Sequence, residues 1–153
     1  MKKNDKTYLL AIVALSFIWG GMVLSISFLE AWLKFRAPGV DLRIGLGIGR
    51  LVFGALNKVE CVLAVTILIF LWLAGKLSAA KQLWSFGIAF LILAVQTFWL
   101  LPALDDVAEA IVKGLPKAAG NLHPLYVIFE TLKVSALIIF GVKQFNQSHH
   151  EYK

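Results

Sequence analysis

The chain has 153 residues, 59% of them hydrophobic, and it carries a formal net charge of +6 at pH 7. A soluble domain of this length cannot bury so much apolar surface, so the composition excludes an ordinary soluble fold and predicts a membrane protein. The basic residues stand at the ends of apolar stretches and in short connections. This placement favours lipid headgroups as their partners and excludes a nucleic-acid surface.

Four stretches approach the ~20 residues that a helix needs to cross the hydrocarbon core: residues 8–29, 51–73, 83–103 and 125–142. They predict an all-α bundle of four transmembrane helices in a single domain over 1–153, with a polar tail over 143–153 that is expected to fray. The first stretch is longer than a secretory signal core, contains Trp19 and lacks a small-residue cleavage site, so we expect it to be retained. The single cysteine, Cys61, excludes an intrachain disulfide.

The connections carry their own signals. Pro38-Gly39 predicts a turn after the first helix, with a new helix starting near Asp41. Pro102 is expected to break or bend the third helix. The sequence after it, DDVAEAIVKGL, predicts a short amphipathic helix at the external face.

Charge distribution predicts the orientation. Lysines near the amino terminus, in the connection between the second and third helices, and in the tail all fall on one side, which is therefore expected to be cytoplasmic. The opposite side carries Lys34, Arg36, Arg43 and Arg50, which weakens this bias. Anionic headgroups, folded structure or an anionic ligand are the alternatives for holding them. The prediction is a cell-membrane protein with both termini cytoplasmic.

A weak internal repeat is visible when Arg50 is placed on His123. Polar and aromatic positions of the second and fourth helices then coincide, namely Arg50/His123, Phe53/Tyr126, Asn57/Glu130 and Glu60/Lys133. A duplicated helical pair and a chance likeness of two amphipathic helices both explain the match.

One face of the stretch from Arg43 to Ala64 is polar or small at helical spacing. Its members are Arg43, Gly47, Arg50, Phe53, Gly54, Asn57, Glu60 and Ala64. A charged group inside a membrane is costly unless it faces protein or water, so this face is predicted to point inward. Gly45 and Gly49 have the small-xxx-small spacing of close helix contacts, and Gly54 extends this small surface. The glycines match no nucleotide-binding motif.

Charged residues within the apolar stretches are the sharpest functional signal. Lys133 follows Glu130 by three positions on one helical side. Across the bundle we expect either Glu60 with Lys133 or Glu130 with Arg50, with Glu130 the more exposed carboxylate. The alternatives are a structural ion pair and a site for a proton, cation or polar ligand. The predicted binding residues are Glu60, Glu130, Asn57, Lys133, Arg50 and His123.

Three short motifs occur in order along the chain. They are Trp19-Gly20 followed by Phe35, Arg36 and Pro38; Val95, Gln96, Trp99, Leu100 and Pro102; and His123, Pro124 and Leu125. Together they resemble the transmembrane protein 205 family of four-helix membrane proteins and its bacterial relatives. In that family a glutamate precedes the proline after the Trp-Leu pair, whereas Leu101 stands here. The resemblance implies a four-helix membrane fold without a settled activity.

Three classes of function follow from these observations. The favoured hypothesis is binding or transport of a small ion or an anionic or lipidic ligand at a polar site between the second and fourth helices. The second is a non-catalytic assembly protein that binds a membrane partner through Gly45 and Gly49. The third is an enzyme on a lipid-soluble molecule, or a haem or cofactor binder, using His123. We expect no enzyme activity, cofactor or metal, and we expect a homo-oligomer, because four helices leave little room for a translocation path.

Overall fold

The computed structural model of the protein describes residues 3–77, 80–115 and 122–150. These residues form four long helices. Helix α1 is α-helical over Lys3–Val23, π-helical over Leu24–Glu30, α-helical over Ala31–Leu33 and 3₁₀-helical over Lys34–Arg36. Helix α2 covers Leu42–Leu73; α3 covers Ala80–Val95, a π-helical turn Gln96–Leu100 and Leu101–Val112; and α4 covers Leu122–His150.

The four helices pack as a ring. Helix α1 lies between α2 and α4, and α3 contacts both α2 and α4, so α2 and α4 stand diagonally opposite each other. Each helix is long and apolar enough to cross a membrane. Large apolar side chains point outward, with Leu51 77% and Phe98 83% exposed, as expected where lipid replaces water. The predicted all-α, four-helix membrane bundle is therefore confirmed.

The bundle is filled unevenly along its axis. The apolar core occupies the half near the chain termini, and it includes Leu9 and Ile12 of α1, Ile67 and Leu71 of α2, Phe86 and Ala89 of α3, and Leu137 and Phe140 of α4. Polar side chains replace it near the middle. A cavity follows towards the opposite end, which we call the distal end.

Helix α2 starts where the turn signal predicts. Gly39 adopts φ +80°, a conformation that suits glycine, and Asp41 then caps the helix by accepting the backbone N–H of Ile44 at 2.8 Å. The helix thus begins at Leu42, well before the predicted span at residue 51. The apolar stretch marks the lipid-crossing part of the helix only.

The amphipathic segment after Pro102 is helical, but it is not a separate helix. It continues α3 as Leu101–Val112, with Pro102 in its first turn. Proline lacks the N–H that an α-helix interior requires. The preceding π-helical turn Gln96–Leu100 shifts the hydrogen-bond pattern locally, so α3 passes the proline without ending. Of the two predicted effects of Pro102, a break or a bend, the break does not occur.

The predicted fraying of the tail was wrong for residues 144–150, whereas residues 151–153 lie outside the described part of the chain. Helix α4 continues to His150, and Gln144 and Ser148 are buried. The Nζ atom of Lys143 lies 4.4 Å from the ring centroid of Trp84 on α3. The polar tail thus remains helical because one side of it packs on the bundle.

The duplicated helical pair stays a prediction, and two structural features bear on it. Phe53 and Tyr126, which align in the repeat, contact each other with ring centroids 5.4 Å apart. The shift that places Arg50 on His123 also places Leu24–Glu30 on residues 97–103, which overlap the π-helical turn of α3. Equivalent residues meet across an axis when two halves are related by a twofold rotation.

Candidate functional site

Five polar side chains from all four helices meet near the middle of the bundle. The Nζ atom of Lys133 lies 2.5 Å from Oε1 of Glu60 and 3.1 Å from Oε1 of Glu130. Lys133 also donates to Oε1 of Gln96 at 2.7 Å. Trp19 donates its indole N–H to Glu60 at 2.7 Å, and Gln96 donates to Glu130 at 2.9 Å. We call these five residues the buried cluster.

The buried cluster is inaccessible to solvent and contains more acidic groups than basic groups. None of its five residues is more than 2% exposed. Two carboxyl groups face one ammonium group, so the cluster has a formal charge of −1 if both glutamates are ionised. Oε2 of Glu130 is buried and has no hydrogen-bond partner among the residues that the structure describes. Such a site is costly because desolvated charges need close partners.

The positions of these residues along the helices explain why their side chains point into the bundle. Glu130 and Lys133 lie three positions apart on α4 and therefore share one helical side. Gln96 is the first residue of the π-helical turn in α3, and π-helical turns frequently occur at functional sites. Trp19 and Glu60 reach the same point from α1 and α2.

A cavity of about 640 Å³ lies between the buried cluster and the distal end. All four helices line it, with Lys34 and Phe35 from α1, Gly49, Arg50, Phe53, Gly54, Asn57 and Lys58 from α2, Thr97, Leu101, Pro102, Leu104 and Asp105 from α3, and His123 and Tyr126 from α4. Asn57 and Tyr126 stand about one helical turn from Glu60 and Glu130. The distal cavity therefore ends about one helical turn from the buried cluster.

Most basic groups of the distal cavity are paired within the chain. Arg50 forms a two-pronged contact with Asp105, at 2.5 and 2.8 Å, and also donates to Glu109 at 3.0 Å. Lys34 lies 3.2 Å from Glu30 and 5.0 Å from the ring centroid of Phe53.

The other polar groups of the cavity differ in their partners. Asn57 donates to Thr97 at 2.9 Å. Lys58 is exposed and has no hydrogen bond or ion pair with any described residue, although it lines the cavity. His123 is exposed at the cavity rim.

The predicted binding residues thus separate into two groups. Glu60, Glu130 and Lys133 lie in the buried cluster, whereas Arg50, Asn57 and His123 line the distal cavity. Of the two predicted cross-bundle pairs, Glu60 with Lys133 is present.

Two details of the prediction were wrong. Arg50 does not pair with Glu130. It forms ion pairs instead with Asp105 and Glu109, which lie on the part of α3 that follows Pro102. Glu130 is not the more exposed carboxylate, since it is fully buried beneath Tyr126.

The three glycines predicted to pack against other helices differ in their neighbours. Gly45 and Gly49 are buried, and an added Cβ would lie 2.1 Å from the ring of Phe35 at Gly45 and 3.1 Å from Nζ of Lys34 at Gly49. Both therefore pack against the end of α1 in the same chain. An added Cβ at Gly54 would have no neighbour within 4 Å. Gly54 belongs to the cavity surface rather than to a helix contact.

The prediction of site residues missed several members. Gln96 and Trp19 complete the buried cluster, and Asp105 and Lys58 belong to the cavity. Gln96 stood as an amide inside an apolar stretch, which is the signal that could have identified it. Within the described ranges, no group of three or more His, Cys, Asp and Glu residues could hold a metal ion.

Comparison with protein-family models, with curated proteins and with solved structures finds no match to this chain. The resemblance to the transmembrane protein 205 family stays a prediction from short motifs.

Proposed function

We propose that this protein binds a small amphipathic anion in the distal cavity between α2 and α4. The cavity volume of about 640 Å³ falls in the range of roughly 300–1,000 Å³ that is typical of small-molecule sites. Its walls combine apolar side chains with the basic groups Lys34, Arg50 and Lys58. A ligand with an apolar body and one anionic group matches both features.

The single observation that carries this proposal is Lys58. It lies in the middle of a 32-residue helix, where an ammonium group without a partner is expensive in a membrane. Arg50 and Lys34 have carboxylates beside them, whereas Lys58 has none among the described residues. An anionic group in the cavity would supply the missing counter-charge.

Binding of a ligand in the distal cavity is better supported than transport of the ligand through a single protomer. The cavity ends about one helical turn from the buried cluster, whose five side chains are inaccessible to solvent. Transport would therefore require either a rearrangement of the buried cluster or a path shared between protomers. The expected homo-oligomer belongs to this transport version of the proposal.

The test compares two amphiphiles with the same short tail, hexyl phosphate and hexanol, on the purified protein in one non-ionic detergent. We expect hexyl phosphate to bind more tightly and Lys58→Met to weaken its binding about tenfold or more, the loss of one charge-assisted hydrogen bond. Hexanol binding should not change. Lys143→Met, at the other end of the bundle, is the matched control. Equal affinity for the two amphiphiles, or no effect of Lys58→Met, would contradict the proposal.

The alternative of an assembly protein has less support. Gly45 and Gly49 pack on Phe35 and Lys34 of their own chain, so they do not offer a free surface for a partner helix. The alternative of a cofactor or haem binder depends on His123 alone.

We further propose that the protein lies in the cell membrane with both termini cytoplasmic, so that the distal cavity opens outside. Single cysteines on a Cys61→Ala background test this orientation. Ala37→Cys should react with an impermeant thiol reagent in intact cells, and Leu77→Cys should be protected; both positions are exposed. The opposite pattern would invert the orientation.

A further inference from the structure

The buried cluster carries one more acidic group than it has cations to balance. Lys133 is fully engaged, because its three N–H groups match three acceptors, which are Glu60, Glu130 and Gln96. No further described cation contacts either carboxyl group. A second ionised carboxylate would therefore remain in a water-excluded site without its own counter-ion, which is strongly unfavourable.

The two carboxyl groups are not equivalent. Glu60 has the shorter contact with Lys133, at 2.5 Å, and it also accepts the indole N–H of Trp19. Glu130 stands 3.1 Å from Lys133. Its Oε1 atom accepts from Lys133 and Gln96, whereas its Oε2 atom has no described partner and is buried.

This asymmetry fits one ionised and one neutral carboxyl group. The carbonyl oxygen of a carboxylic acid accepts hydrogen bonds, as Oε1 of Glu130 does, and its hydroxyl group carries no net charge. Leaving a neutral hydroxyl without a partner costs far less than leaving half of a carboxylate without one.

We infer that the buried cluster binds one proton, which Glu60 and Glu130 share, so that the two carboxyl groups and Lys133 together carry no net charge. The titratable and charged groups that face Glu130 are Glu60 from α2 and Tyr126 and Lys133 from α4. Helices α1 and α3 contribute the uncharged Trp19 and Gln96. The inference does not depend on a ligand in the distal cavity.

The first test is infrared spectroscopy of the protein in lipid at neutral pH. We expect a carbonyl band of a protonated carboxyl group that shifts in D₂O, is absent from Glu130→Gln and persists in Asp106→Asn, whose side chain is exposed. A wild-type protein without this band overturns the inference. Persistence of the band in Glu130→Gln also overturns it, because Glu60 and Lys133 balance each other in that variant and the band would then come from outside the buried cluster.

The second test measures unfolding as a function of pH. A proton that the folded state holds more tightly than the unfolded state stabilises the fold at acid pH, and this stabilisation is lost as pH rises. As the pH rises, the equilibrium constant for unfolding of the wild type should therefore increase, by up to tenfold per pH unit relative to that of Glu130→Gln. The neutral, nearly isosteric glutamine should match the wild type in acid and exceed it in base. Failure of Glu130→Gln to fold, or equal pH dependence of both proteins, contradicts the inference.

Discussion

The buried cluster and the distal cavity are both formed by all four helices, yet similar ion pairs have very different exposure in the two regions. The side chains of Lys133 and Glu60 are 0% and 2% exposed, whereas those of Arg50 and Asp105 are 30% and 46% exposed. Removing one partner of a buried pair leaves a desolvated charge, but water takes over when an exposed pair is broken. The same residue types are therefore expected to hold the fold together in one region and to remain available for a ligand in the other.

The largest expected effect is at Lys133. Lys133→Met leaves the Glu60 carboxylate without its counter-ion, and we expect the free energy of unfolding to fall by ~3 kcal/mol or more. Glu60→Gln should cost less, about 2 kcal/mol, because Glu130 remains 3.1 Å from Lys133 as its counter-ion.

A double-mutant cycle measures the coupling between the two residues. The double variant Glu60→Gln/Lys133→Met removes the ammonium group together with the carboxylate nearest to it and should recover much of the loss, with a coupling energy of at least about 1 kcal/mol. Additive effects within ~0.5 kcal/mol would show that the pair does not act as a unit. The ion pair of the buried cluster would then contribute no more to stability than the exposed pair of the distal cavity.

An intermediate effect is expected at the wall between α1 and α2. Gly45→Ala places a Cβ within 2.1 Å of the Phe35 ring, which also lines the distal cavity. Displacing an aromatic ring in a packed contact should cost about 1–3 kcal/mol of stability and reshape the cavity. The measurement is the free energy of unfolding in mixed micelles.

Gly54→Ala is the matched control for this wall. Its Cβ would meet nothing within 4 Å, and alanine favours a helix over glycine by up to ~1 kcal/mol, so we expect unchanged or slightly higher stability. Equal destabilisation by the two variants would mean that backbone properties of glycine, and not the contact with Phe35, decide the effect at position 45.

The smallest effect on stability is expected at Asp105. Asp105→Asn removes one of the two carboxylates beside Arg50, and because the pair is partly exposed we expect a loss below about 1 kcal/mol. The guanidinium group is then freer to meet a ligand, so hexyl phosphate should bind severalfold more tightly, and this gain should shrink at high salt. A stability loss above ~2 kcal/mol would show that the cavity pair behaves like a buried one.

The sequence alone determined the fold class and the local relations. Four apolar stretches predicted four membrane helices because the thickness of a bilayer sets the length of a spanning helix. The turn at Pro38-Gly39, the helix start near Asp41 and the shared side of Glu130 and Lys133 were also visible, since turn and helix geometry depend on neighbours within a few residues.

The tertiary structure decided what each charged residue does. Glu60 and Glu130 look alike in sequence, but Glu60 reaches Lys133 from another helix, at 2.5 Å, whereas Glu130 lies on the same helix as Lys133, at 3.1 Å. Arg50 pairs with Asp105 because α3 continues as a helix past Pro102. This continuation depends on the π-helical turn, which no local propensity indicated. Burial and partner choice depend on contacts between distant segments, and those contacts form only when the helices assemble.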